Sequence, residues 1–256
     1  MAMSPSRLFE LTRHLSGILR DLEAAGLRVE IGDDFAKYRA YRNQQTDRGA
    51  IYPMFDVASS YVDNSNGFWI CGFDSRGELV HTQAARLLDL NGGDLGAHLD
   101  NHRHKYITPD MTFYRDPEGL QTITGKVCYQ GDFWLRASGL GGPRSQGATS
   151  LLSRILLEIM AETWNPDYVF ALVPKRLAAK GAHLRYGYSH CEPGRWVGPD
   201  QQVTEEDYLI WMGVKDIANL LSRAPQRLQG AVSASVVQTA ASPEETKGRQ
   251  DTKANA

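Results

Sequence analysis

Residues 139–149 have the types and spacing to hold a phosphate. The run reads Gly139-Leu-Gly-Gly-Pro143 and then Arg144-Ser-Gln-Gly-Ala-Thr149. It lies directly before Ser150–Met160, an apolar stretch with the composition of a helix. Small residues at Gly147, Ala148 and Ser150 let a ligand approach the first helical turn. Backbone N–H groups at a helix start have no intrahelical acceptor, and the helix dipole is positive there, so an anion is favoured. Arg144 adds a full charge. An ordinary loop-to-helix junction has the same outline. The small residues, the arginine and the segment that follows favour the phosphate reading.

A second constellation is His98-x-x-x-His102-x-His104, with Asp94, Asp100 and Asp110 nearby. His98 and His102 share a helical face, and three imidazoles could bind zinc with one position open. No His-Glu-x-x-His arrangement or cysteine partner accompanies them, so a polar histidine-bearing loop is the better reading. A metal-dependent hydrolase is an alternative, and no metal is expected. Glu78, His81 and Glu192 stand where a general base could stand, near strand ends or a cleft rim. Each is more readily a structural residue, and His81, among alternating apolar residues, reads as a satisfied sheet histidine.

The elements that must position these groups follow from periodicity. Leu8, Leu11, Leu15, Ile18, Leu19 and Leu22 recur at helical spacing over 5–26. That helix packs on a core, or serves a homodimer as readily. Residues 33–50, rich in Tyr38, Arg39, Tyr41, Arg42 and Arg48, could cap a substrate cleft, and a solvated helix face is the better account. Residues 67–74 and 78–90 form a hairpin around Ser75-Arg-Gly77. A short helix is expected near 95–104, and a further strand region at 126–130 and 133–137. A helix at 146–163, a strand at 167–173 closed by Pro174, a helix at 175–186 weakened by Gly181, a strand at 208–213 and a helix at 215–222 complete the order.

The chain has 256 residues, of which 42% are hydrophobic, so a sizeable core can be buried. The net charge of −2 carries no basic surplus and argues against nonspecific nucleic-acid binding. No apolar run reaches membrane-span length. Cys71, Cys128 and Cys191 are dispersed and odd in number, which fits neither a metal site nor a disulfide framework and suggests a reducing cytoplasm. Beyond about Ala224 the composition turns to Gln, Ala, Ser, Thr and charge. The expected organisation is one domain over 1–223 and a flexible tail over 224–256.

The order hairpin, strand, Arg144-Ser-Gln-Gly147-Ala-Thr149, helix, strand, and helix ending in Tyr186-Gly187-Tyr188 resembles the GCN5-related N-acetyltransferase (GNAT) superfamily. The resemblance covers about residues 60–215. It implies an α/β fold, a single domain with a mixed, mostly antiparallel sheet flanked by helices. It also implies transfer of an acetyl or longer acyl group from acyl-CoA, as co-substrate, to a primary amine. The family turn reads Gln/Arg-x-x-Gly-x-Gly/Ala, and here Thr149 takes its last position. By the resemblance, Arg144, Gln146, Gly147, Ala148 and Thr149 contact the pyrophosphate, while Leu135 and Ala137 lie on one of two splayed strands. His183 falls where the family often places a catalytic tyrosine that protonates the departing thiolate, with Tyr186, and Tyr188 in a shifted register, as further donors. A non-catalytic acyl-CoA-binding or interaction protein is the alternative, ahead of the metal-dependent hydrolase. The acceptor is an amine-bearing molecule whose class the sequence leaves open.

Overall fold

The structure is a computed structural model that describes residues 4–106, 113–137 and 143–224, without the side chains of residue 91 and residues 101–106. Gly139, Gly141 and Gly142 of the glycine-rich run, the side chains of His102 and His104, and the chain beyond Ala224 lie outside the described residues.

In chain order the elements are α1 (Pro5–Ala24), β1 (Arg28–Gly32), α2 (Phe35–Asn43), a 3-10 turn (Pro53–Phe55), β2 (Gly67–Phe73), β3 (Leu79–Asp94), α3 (Leu95–Tyr106), β4 (Phe113–Arg115), α4 (Gly119–Thr122) and β5 (Thr124–Leu135). There follow α5 (Ala148–Trp164), β6 (Tyr168–Pro174), α6 (Lys175–Ala178), α7 (Ala182–Tyr186), β7 (His190–Pro193), β8 (Arg195–Val197), β9 (Val203–Glu205), β10 (Asp207–Gly213) and α8 (Val214–Ser222). Seven strands form one sheet in the order β1-β2-β3-β5-β6-β10-β7. Every neighbouring pair is antiparallel except β5–β6. This is the mixed, mostly antiparallel α/β sheet flanked by helices expected from the sequence. A three-stranded sheet, β4-β8-β9, stands beside it.

Side chains alternate across a strand, so each strand feeds both faces. One face carries Ile70, Ala85, Cys128, Val169 and Ile210 against α1, α5 and α8. The other carries Trp69, Ala84, Tyr129, Phe170 and Leu209 against α2, the 3-10 turn and α3. Helix α5 is buried nearly all round between the sheet and the outer helices, with Ser153, Arg154 and Glu158 among its buried residues. Asn165 ends it in the left-handed conformation, φ 46°, and Pro166 follows. In α1 the apolar stripe is buried only at Ile18 and Leu22, while Leu8 and Phe9 are exposed.

The strand region at 126–130 and 133–137 is the single strand β5, which ends at Leu135. Two expectations are corrected. The helix at 175–186 is two, α6 and α7, parted where Gly181 takes φ 71°, a conformation that breaks a right-handed helix. The segment at 33–50 is not a solvated face: Tyr38 and Arg42 of α2 are buried. Among the described residues no helix is long and apolar enough to cross a membrane.

Candidate active site

Strands β5 and β6 are the one parallel pair, and they pair only at Val127–Tyr168, Cys128–Val169 and Tyr129–Phe170. Beyond Tyr129, β5 runs on to Leu135 while pairing with β3, and beyond Phe170, β6 runs on to Pro174 while pairing with β10. The two strands therefore diverge, and a fork opens in the middle of the sheet. Its inner edges carry backbone groups that no strand pairs, which suits an extended, amide-bearing ligand by strand addition. Arg136 donates its amide to Val80 of β3, 2.8 Å away. Successive amides on extended backbone point to opposite edges, so the amide of Leu135 faces the fork.

A bulge marks the same place. Ala84 of β3 faces Gly131 and Thr82 faces Trp134, so β5 spends one residue more than β3 across this interval. Gly131 and Asp132 consequently project to one face. A Cβ on Gly131 would meet Phe55 and Tyr129, and Asp132 receives Tyr38, Arg42 and Arg48. Phe133 then projects to the α5 face, against Tyr186 with ring centroids 4.6 Å apart.

The turn at 143–147 leads from this strand region into α5. Gly147 caps the helix with φ 95°, a conformation that favours glycine. Arg144 is exposed, Gln146 half-buried, and Ala148 and Thr149 are buried. The expected free amides are partly used within the turn: Gly147 donates to the Arg144 carbonyl at 3.4 Å and Ala148 to Pro143 at 3.1 Å. A tight turn satisfies its own donors where the chain reverses, which spacing alone does not reveal. Beside the start of α5 lies a cleft of about 510 Å³ whose walls include Ser150, Arg154, Arg185, Tyr186, Asp216 and Arg223. Arg154 pairs with the buried Glu158, so Arg185 and Arg223 against Asp216 leave the lining a small positive excess. Arg154 is buried and ties α8 to α5 through the Leu221 carbonyl at 2.6 Å.

The expected proton donors separate. Tyr186 lines the cleft and touches Phe133 on the open part of β5, so it joins the two features. Burial raises its pKa, while Arg185 and Arg144 lower it, which places Arg144 within electrostatic reach of the phenol. His183 sits on the same helix, outside the cleft lining, with Nδ1 buried and unpartnered. Tyr188 is buried and donates to Gln130 Oε1 at 2.7 Å.

The candidate bases are otherwise engaged. His81 is fully buried, its Nδ1–H donates to the Trp134 carbonyl at 2.7 Å, and burial pushes its pKa down to about 3. Only half of its hydrogen-bonding capacity is satisfied, since Nε2 has no partner. Glu192 accepts from Trp211 Nε1 and the Gly119 amide at 2.6 and 2.9 Å. Glu78 is an exposed turn residue paired with Arg136 and Arg76. Among the described residues no group of three His, Cys, Asp or Glu could hold a metal. His98 is half-buried, with a pKa lowered by burial first.

No protein-family model and no curated protein matches the chain. Solved structures similar to it include the aminoglycoside acetyltransferase AAC(6')-Ib with coenzyme A and kanamycin, at 13% identity and a TM-score of 0.41 over 75% of this chain and 98% of that one. FeeM, an N-acyl amino acid synthase from uncultured soil microbes, has 12% identity and a TM-score of 0.36 over 86% and 90%. A spermidine N-acetyltransferase SpeG chimera from Vibrio cholerae and hSSAT has 9% identity and a TM-score of 0.39 over 76% and 99%.

Proposed function

We propose that the chain is an acyl-CoA-dependent N-acyltransferase that moves an acyl group to a primary amine. The observation that carries the reading is the fork. Two parallel neighbours share three register pairs and then part, beside a turn that starts a buried helix. An acyl-CoA is an extended, amide-bearing arm with an anionic pyrophosphate at one end. The fork offers unpaired strand edges to the arm, and the start of α5, with Arg144 and the positive cleft, takes the phosphates.

In this reading the acceptor nitrogen attacks the thioester carbonyl, the C–S bond breaks, and the thiolate takes a proton. Tyr186 supplies it, because it reaches both cleft and fork and its raised pKa keeps it protonated at neutral pH. The Leu135 amide, turned to the fork, stabilises the arm or its carbonyl. The amine loses its proton to solvent or a group of the acceptor pocket.

Calorimetric titration with acetyl-CoA and longer acyl-CoAs tests the reading. Saturable binding that Arg144→Glu weakens by roughly tenfold or more is expected from reversing an ion contact to phosphate. Absence of binding to every acyl-CoA would overturn the assignment, and unchanged affinity in the variant would remove Arg144 from the site.

A further inference from the structure

Asp132 is a charged residue in the middle of the central sheet, at the bulge and three residues past the last β5–β6 pair. Its backbone is left-handed, φ 49°. Its carboxylate is nearly enclosed, and three donors converge on it. Tyr38 Oη and Arg42 Nε donate to Oδ2 at 2.5 and 2.7 Å, and Arg48 Nη2 donates to Oδ1 at 2.9 Å. Thr82 Oγ1 donates to the Asp132 carbonyl at 2.9 Å. Arg48 Nη1 in turn reaches that hydroxyl, also at 2.9 Å, and Gln45 Oε1 at 2.7 Å. Arg42 binds the same Gln45 oxygen and the Gly49 carbonyl. Helix α2 and the loop after it are thus tied to a single point on β5.

A buried ion pair is no better for stability than well-packed apolar groups of the same volume, so its use here calls for another role. The geometry supplies one. A one-residue slip reverses which face every later side chain occupies. The bulge at Gly131–Asp132 sends Phe133 to Tyr186 and Trp134 to the opposite face, where the Arg48 guanidinium lies 4.8 Å from its ring centroid. Bulges also bend the strand that carries them. The bulge starts two residues past the last β5–β6 pair.

We propose that the Asp132 clamp, formed with Tyr38, Arg42 and Arg48, is a positioning device that fixes the bend of β5 and so sets the opening of the acyl-CoA fork. It touches neither cofactor nor reacting atoms in this reading and acts through β5 and Phe133. The inference rests on the acyl-CoA assignment for its effect on affinity, but not for its effect on the strand.

The test uses the full chain and two variants. Tyr38→Phe removes one donor and keeps every charge. Asp132→Gly removes the carboxylate while tolerating the positive φ, so a loss there is not backbone strain. Amide hydrogen exchange over residues 130–135 is read without ligand, with β1–β2 amides as internal control, and acetyl-CoA affinity and KM are read separately from kcat. Losing one charge-assisted hydrogen bond predicts roughly tenfold faster exchange over 130–135 in Tyr38→Phe, unchanged exchange in β1–β2, and an acyl-CoA KM raised by a similar factor with kcat nearly constant. Asp132→Gly is expected to go further in the same direction. Should that variant unfold, Tyr38→Phe carries the test alone. Wild-type exchange over 130–135 in Tyr38→Phe would overturn the clamp, whatever the ligand data. Faster exchange with unaltered acyl-CoA affinity would refute the link between bend and fork. Wild-type protein that binds no acyl-CoA would remove the functional assignment, and the exchange data would still judge the clamp.

Discussion

Tyr188→Phe tests the polar network at the mouth of the fork. Tyr188 is 2% exposed, and its hydroxyl donates to Gln130 Oε1 at 2.7 Å. Gln130, the first β5 residue past the last β6 pair, uses its amide nitrogen on Gln83 Oε1 at 3.2 Å. Gln83 continues to the Leu152 carbonyl of α5 at 2.7 Å. Removing the hydroxyl leaves a buried carboxamide oxygen without its donor. The ring and its packing remain, so the cavity contribution is small. An unsatisfied buried acceptor costs about 1–3 kcal/mol. For a domain of this size that is a fall in Tm of roughly 2–4 °C per kcal/mol. Urea denaturation followed by tryptophan fluorescence reads it directly, with the slope unchanged and the midpoint lowered. Tyr61→Phe is the control, since Tyr61 is 80% exposed. It should stay within about 0.5 kcal/mol of wild type. A Tyr188→Phe variant equally close to wild type would refute the reasoning, because Gln130 would then have another route to satisfaction.

Tyr186→Phe should lower kcat by about 10²-fold or more with little change in acyl-CoA affinity, as expected for loss of a general acid. Steady-state kinetics with a free-thiol readout decide it, and full turnover in that variant alongside a collapse in His183→Ala would move the role to His183. His81 is neutral in the fold because its pKa falls to about 3, whereas the unfolded chain protonates near 6.5. The unfolded state therefore binds more protons between these values. The stability from the neutral imidazole is complete above pH 6.5 and is lost as pH falls towards 3, by about 1.4 kcal/mol per pH unit for one proton. His81→Phe should flatten that part of the urea stability profile between pH 6.5 and 4.5, and an unaltered slope would show that other groups carry it. Gly131→Ala places a Cβ 2.7 Å from Phe55 and 2.8 Å from Tyr129, so a loss of about 1–3 kcal/mol is expected in the same denaturation assay, and a neutral result would mean that the bulge can shift.

Legibility in the sequence tracked how local the determining interactions are. The β2–β3 hairpin, α5, β6 and β10 carry their own periodicity and stop signals, so they stood out. Strand β1 did not, because it is an edge strand whose residues are exposed or half-buried and alternate weakly. The three-residue strands β4, β8 and β9 are too short to show a period. Within β5 the bulge at Asp132 reverses the apolar parity, so a fixed period of two describes neither the whole strand nor its register with β3. The residues proposed to hold phosphate are visible in the sequence as a cluster, since they are contiguous. The clamp is not, because its donors lie 84 to 94 residues from Asp132 in the chain. The Tyr- and Arg-rich segment before residue 50 is visible in the sequence and has an innocuous reading by itself, and Asp132 carries no local signal at all. Burial turns them into one object, since an aspartate in the centre of a sheet needs cations or donors brought to it. Asp132 and the pair Arg42 and Arg48 stand or fall together, because removing either sign leaves the other charge buried and alone.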